Sequence, residues 1–356
     1  MEGKNIAGTK VPQRERGRPA IVVAPYPQRL RILFSEEGLA ELGTLADLRY
    51  LGDGLVGDAA LDEAMADAAA VVGQVALPEG RLRRAPNLRA VCNVEGNFYQ
   101  NIDYAYCFRN NIHVLNCGSA YALPVAEMAL GMALDLARGI SREDRRFRRG
   151  EETYLAAGCL DSVLLSGSEV GIIGFGSLGR ALARLLVPFR CSVRVYDPWL
   201  PDSVLGEYGC SGAPLEEILR ESRFIFVMAG VTKENQGFLS RELLELVRED
   251  AFFLLMSRAA VVDFDALCDL TEAGRFTAAT DVYPEEPLAR DHRARRNERL
   301  LLSAHRAGGI PQAFRSIGRM VLEDLRLIFN GLPPVRMQRA EPETVSRFAS
   351  RPAPQA

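Results

Sequence analysis

Histidine is scarce in this chain: His113, His292 and His305 are the only three in 356 residues. Seven cysteines are scattered with no C-x-x-C pair, which speaks against a zinc ribbon, a redox dithiol and a disulfide framework, and for reduced thiols in a cytoplasmic setting. Charge of one sign is missing too. Lys plus Arg number 43 against 46 Asp plus Glu, a net of −3, so no broad basic field draws the chain to nucleic acid or anionic lipid. No run reads as the ~18 apolar residues that a membrane helix needs, and residues 1–19 lack the apolar core of a secretory signal. Apolar residues at 48% and charged residues at 25% are those of an ordinary globular protein, which excludes a disordered or collagen-like chain.

The length suits two domains of about 100–200 residues each. From Ala20, short apolar runs at 20–24, 48–51, 71–72, 88–92 and 112–115 alternate with helix-like stretches, and Ser35 has the character of an N-cap. A long helix opens near Pro124, with Val125, Met128, Ala129, Met132 and Leu136 at helical spacing. The charged residues 142–149 read as a solvated face. A second series of six apolar strands follows at 170–173, 193–196, 224–228, 252–256, 277–281 and 300–303, with helical patterns between them. A last helix over 311–330 stops at Gly331 before Pro333 and Pro334. Alternation of this kind predicts an α/β protein of two doubly wound parallel sheets.

The sharpest local signal is Gly174-Phe175-Gly176-Ser177-Leu178-Gly179, between an apolar strand and a helical pattern, with Asp197 at the end of the next strand. Gly174 allows the tight turn, Gly176 lets the backbone approach a pyrophosphate, and Gly179 permits close packing of helix on strand. The helix N-terminus offers N–H groups and partial positive charge to phosphates. An acid at Asp197 accepts ribose hydroxyls and repels a 2′-phosphate, which points to NAD as the cofactor.

Around this loop the chain resembles the D-isomer-specific 2-hydroxyacid dehydrogenase family. Val125-Ala126-Glu127, Ser257-Arg258 with Val262-Asp263, Asp281-Val282-Tyr283 with Glu286-Pro287-Leu288, and Ser303-Ala304-His305 with Ala307-Gly308 are similar to its ordered motifs. The resemblance covers about residues 20–343. It implies a flavodoxin-like substrate domain (20–123 plus 308–345), a Rossmann-type NAD-binding domain (124–307), a cleft between them and a homodimer, with tails at 1–19 and 346–356. It implies a catalytic Arg258, Glu286 and His305, and a cofactor set extended to Thr232, Ser257 and Asp281. The chemistry agrees: a 2-keto acid needs a fixed cation for its carboxylate and ketone, which Arg258 supplies. Its alkoxide needs a proton donor, for which His305, oriented and kept charged by Glu286, is suited. His113 in an apolar run reads as a packing residue, and His292 in a polar stretch as a loop residue.

The chain also departs from the family pattern. Asn97 and Phe98, whose backbone N–H groups would bind the substrate carboxylate, lie in Gly96-Asn97-Phe98-Tyr99, where Phe98 replaces a glycine. Ala259 follows Arg258 in place of glycine, Ala304 stands in place of proline, and Arg306 follows His305 in place of an apolar residue. Gly73-Gln74-Val75 has no arginine for a phosphorylated acid. Phe98, Tyr99 and Tyr121 are candidates to line an apolar pocket, and Arg306 is a candidate for a second anion. Formate oxidation is disfavoured by Glu286, while a phosphite or phosphonate donor and a dinucleotide-sensing corepressor role stay open.

Overall fold

The computed structural model describes residues 18–347, so the tail segments 1–17 and 348–356 lie outside the described residues. The described residues divide into two compact units, one built from residues 18–117 plus Phe314–Val345, the other from Gly118–Ala313 with Ser346 and Arg347. Both junctions differ from the sequence-based ones at 123/124 and 307/308. The long helix begins at Ala122, and a short 3-10 turn, Gly118–Tyr121, leads into it. Of the expected C-terminal tail, the described residues Ser346 and Arg347 belong with the second unit.

The first unit is a six-stranded sheet in the order β13-β5-β4-β3-β1-β2. Its strands are β1 (Ala20–Ala24), β2 (Asp47–Tyr50), β3 (Ala68–Gly73), β4 (Ala90–Cys92), β5 (His113–Asn116) and β13 (Gln338–Arg339). All pair in parallel except β13, which runs antiparallel to β5. Ser35 does cap its helix, its side chain accepting from Gly38 N at 3.1 Å. The fully buried Asp324 on helix Pro311–Phe329 accepts the N–H groups of Val335 (2.8 Å), Arg336 (3.0 Å) and Met337 (2.8 Å), which fixes the approach to β13.

The second unit is a seven-stranded, wholly parallel sheet in the order β12-β11-β10-β9-β6-β7-β8. Six strands are those expected: β6 (Glu169–Ile173), β7 (Ser192–Tyr196), β9 (Phe224–Val227), β10 (Phe252–Leu255), β11 (Thr277–Thr280) and β12 (Leu300–Leu302). The seventh, β8 (Ser211–Gly212), is a two-residue edge. Successive residues of a strand face opposite sides, so Phe224, Phe226 and Leu254 enter one core layer while Ile225, Val227 and Phe253 enter the other. Both faces are covered, which explains why these strands read as unbroken apolar runs.

Helix Ala122–Arg138 packs Val125, Ala126, Ala129, Met132, Ala133 and Ala137 into one of these layers. Together with its leading turn it spans 21 residues and is apolar enough by composition to cross a membrane, contrary to the sequence expectation that no stretch qualifies. Its buried stripe packs within the chain. Residues 140–149 form a helix with no buried residue, in keeping with a solvated charged face. No disulfide links any of the seven cysteines. Cys92, Cys107, Cys117, Cys210 and Cys268 are buried, and burial pushes the thiols of Cys210 and Cys268 up to about 11.

Candidate active site

The end of β6 turns sharply into helix Ser177–Leu186. Gly174 has φ +90°, and a Cβ there would lie 2.5 Å from Ala229 Cα, so no larger residue fits. A Cβ on Gly179 would come within 2.5 Å of Gly174 O, which is the close helix–strand packing expected of that position. A Cβ on Gly176 would meet nothing within 4 Å, leaving open space beside the backbone. No side chain caps the helix N-terminus that starts at the exposed Ser177. Asp197, at the end of β7, accepts Phe175 N at 2.8 Å and Trp199 N at 3.1 Å through different carboxylate oxygens. Phe175 contributes only backbone at the loop: its ring is fully buried, edge-on to Tyr208 at 5.3 Å. Leu178 packs against the same core layer.

Two buried hydroxyls, Thr232 Oγ1 and Ser257 Oγ, have no hydrogen-bond partner among the described residues. They follow β9 and β10, on the strand ends that flank the turn on one side, as Asp197 does on the other. Buried polar groups rarely go unpaired in a finished site. An open cradle at Gly176, an uncapped helix N-terminus, an acid at the end of the next strand and two unpaired hydroxyls suit a dinucleotide.

Beyond β11, a loop carries Glu286, and a second loop after β12 carries His305. His305 Nδ1 and Glu286 Oε2 are 2.6 Å apart, while Glu286 Oε1 accepts Tyr283 N at 3.0 Å. Burial pushes the Glu286 carboxyl up. The hydrogen bonds from His305 and Tyr283, with the positive charges of His305 and Arg258, outweigh that and hold it below the ordinary carboxylate range. Glu286 is therefore an anion throughout the neutral range, and as a pure acceptor it places the shared proton on His305 Nδ1, leaving Nε2 outside the pair. Arg258 is part-buried and donates Nη1 to Ser257 O at 2.8 Å. Its backbone is extended at φ −151°, and Ala259 opens a short 3-10 turn without positive φ, so alanine is accommodated where the family has glycine.

The loop bearing His305 is tied down by a contact that sequence reading missed. Asp281 is 1% exposed. Its carboxylate accepts Arg306 N at 2.8 Å and Ala307 N at 2.9 Å, and its carbonyl accepts His305 N at 2.8 Å. These bonds hold His305 at φ +51°, a left-handed conformation uncommon outside glycine. Both oxygens already serve the loop, so the structure gives Asp281 a clamping role beside the nicotinamide contact expected of it. The sequence signal was an acid at a strand end, and its partners are 25 and 26 residues away.

Asn97 and Phe98 belong to the first unit. The Phe98 ring is buried, 6.2 Å from Tyr104 in an edge-on contact, and the hydroxyl of Tyr104 donates to Tyr99 O at 2.7 Å. Phe98 is therefore packed as a core ring and its φ is not positive, so the structure does not support it as a specificity wall. Arg306 is exposed. His113 is partly buried, with its pKa lowered by burial and by Arg339 and Arg89. His292 has a defined structural role, because its Nδ1 accepts Ala294 N at 3.2 Å and caps a 3-10 turn.

Residues 130–307 match the family profile described as D-isomer specific 2-hydroxyacid dehydrogenase, NAD binding domain. The chain belongs to this family. Its similarity extends to glyoxylate reductase of Pyrococcus furiosus, 32% identical over 208 residues, which are 57% of this chain and 62% of that protein. D-3-phosphoglycerate dehydrogenase of Methanocaldococcus jannaschii is 25% identical over 233 residues, 65% of this chain and 44% of that one. Thus the chain spans less than two thirds of either relative's length. A crystal structure of a phosphoglycerate oxidoreductase from Rhizobium etli superposes with a TM-score of 0.83 at 45% identity, covering 92% of this chain and all of that one. As in the family, the cofactor is NAD, and the sheet of the second unit is its Rossmann-like binding domain.

The ionised Glu286 is placed to orient the His305 ring through Nδ1. Its lowered pKa means that the anion persists as the solution is acidified to the ordinary carboxylate range, so a negative charge stands beside His305 throughout the neutral range. In Glu286→Gln, the pH above which reduction slows is expected to fall, because the anion beside His305 Nδ1 is gone. A pH–rate profile of kcat/KM for NADH-dependent reduction checks this, and an unshifted alkaline limb would remove Glu286 from the proton step.

Proposed function

We propose that this chain is a 2-keto acid reductase, running in reverse as a 2-hydroxyacid dehydrogenase of D-isomer specificity. The observation that carries the reading is the 2.6 Å contact of His305 with an ionised Glu286, in a site that also feels the charge of Arg258. NADH, when bound along the Gly174–Gly179 turn, supplies the hydride. Arg258 pairs with the carboxylate and draws electron density from the ketone. His305 Nε2 delivers a proton to the alkoxide as it forms, and Glu286 balances the imidazolium until that transfer. In oxidation the neutral ring takes the proton back, so reduction slows and oxidation quickens as pH rises.

A second reading concerns the substrate's other end. Arg306 is exposed, directly follows His305, and is in no ion pair among the described residues. The similarity to a phosphoglycerate oxidoreductase also favours an acid with a second anion, although no arginine stands at Gly73-Gln74-Val75. NADH oxidation against glyoxylate, hydroxypyruvate, pyruvate, phenylpyruvate, oxaloacetate and phosphonopyruvate tests both. Turnover of any of them supports the reaction class. Preference for the dianions that is lost in Arg306→Ala assigns Arg306 to the second charge. Tight NADH binding with silence across the panel would favour a phosphite-type donor or a corepressor-like sensor.

The assembly we propose is a homodimer. Ile140, Phe147, Tyr154, Leu155, Leu160 and Leu164 are large, apolar and exposed within one short stretch of the second unit, the pattern of a surface that meets another protein. A second copy is the occupant that the family resemblance favours. Light scattering at twice the monomer mass is the expected result, and a monomer at micromolar concentration would overturn it.

A further inference from the structure

The dinucleotide turn follows β6, and β6 lies between β9 and β7 in a sheet whose strands all run the same way. The loops after β7 and β9 therefore stand on either side of the glycine turn, at the same edge of the sheet. The first holds Asp197 and Trp199, the second Thr232 and Lys233. One further segment touches both. Arg347 O accepts Lys233 N at 2.9 Å, and the Arg347 guanidinium carbon lies 5.5 Å from the centroid of the Trp199 ring. Trp199 is in turn tied to Asp197 by its own N–H. Residues 346–347 thus bridge the loops at the end of the site where the acid for the adenosine ribose sits.

The charge at that corner differs from what Asp197 alone implies. Both Asp197 oxygens already accept backbone N–H groups, from Phe175 and Trp199. Lys233 and Arg347 are exposed, and neither is in an ion pair among the described residues. The Arg347 guanidinium therefore lies on the side chain two residues from Asp197, on a backbone that is hydrogen-bonded to Lys233. A guanidinium held over an indole face is positioned by it, and its N–H fork can bind a phosphate in bidentate fashion.

We propose that Arg347, assisted by Lys233, is a binding site for the 2′-phosphate of NADPH, so that this protein takes NADPH as well as NADH. The guanidinium is supplied by the turn that follows helix Pro342–Val345, outside the loop whose acid normally decides cofactor choice.

The chain has one tryptophan, so Trp199 fluorescence reports directly on this corner. The test titrates the full chain with adenosine 2′,5′-bisphosphate and with 5′-AMP, which differ only by the 2′-phosphate, and repeats both by calorimetry. The bisphosphate is expected to bind at least tenfold more tightly at low salt, with the margin shrinking as salt is added. In Arg347→Ala that margin should collapse, in Arg347→Lys it should survive in part, and 5′-AMP binding confirms that each variant is folded. The ratio of kcat/KM for NADPH to that for NADH should fall at least tenfold in Arg347→Ala. The proposal is overturned if wild type binds 5′-AMP as tightly as the bisphosphate, or if Arg347→Ala weakens both ligands by the same factor.

Discussion

Replacing His305 with asparagine is expected to cut kcat for 2-keto acid reduction by about a thousandfold, the scale of a lost general acid. The choice of asparagine matters. His305 sits at φ +51°, where alanine is strained but asparagine is at ease, so the variant removes the proton donor without forcing the loop to move. Hydride donation, the charge of Arg258 and the dinucleotide turn all remain, which is why a residual rate above background is expected. NADH titration of Trp199 fluorescence should show binding close to wild type. The pH dependence should flatten as well, because the group whose protonation favours reduction is gone. A loss of less than tenfold, or a pH profile unchanged in shape, would mean that water or another residue protonates the alkoxide.

The second large effect is expected at a residue that need not touch the substrate. Asp281→Ala leaves the N–H groups of Arg306 and Ala307 without the acceptors they have at 2.8 and 2.9 Å, and Ala307 is buried. Each orphaned buried donor costs about 1–3 kcal/mol. For a domain of this size each kcal/mol lowers the midpoint by about 2–4 °C, so a fall of roughly 5–15 °C is expected in calorimetry without cofactor. Released from its clamp, the His305 backbone can relax out of the left-handed region, and kcat should drop by at least tenfold with a smaller change in KM. Asp281→Asn keeps one acceptor in place of two and should fall between. An Asp281→Ala protein that melts like wild type without cofactor, yet loses turnover, would assign the carboxylate to the nicotinamide instead of to the loop.

The contrast between these two residues shows what was legible in the chain. His305, Glu286 and Arg258 stand in short motifs whose order and spacing identify them, and six strands of the second unit announce themselves as runs such as Phe224–Val227 and Phe252–Leu255. The clamp by Asp281 joins segments brought together only when β11 and β12 pair, and no local pattern encodes it. The missed strands fail for a different reason. β8 and β13 are two residues each, exposed and lacking an apolar side chain, so their hydrogen bonds leave no hydrophobic trace. Helix Asp58–Met65 and β3 meet within an alanine-rich stretch, where helix and strand patterns merge, and the strand begins at Ala68, earlier than its valines suggest. Of the helical patterns expected between the strands, the one that starts at Arg241 is only the four-residue helix Arg241–Leu244.

The distribution of thiols has a practical side. Five are buried, and burial holds Cys107 at about 12 and Cys210 and Cys268 at about 11, far from the thiolate that alkylating reagents and peroxides attack. Cys191 is half-covered and is also pushed up by burial. Cys159 alone is exposed. A maleimide dye added near neutral pH should therefore mark the chain at one place, between Tyr154 and Leu164, within the apolar stretch proposed to meet a second copy. The native chain thus carries a single-site handle for watching its own association, with no cysteine needing removal first.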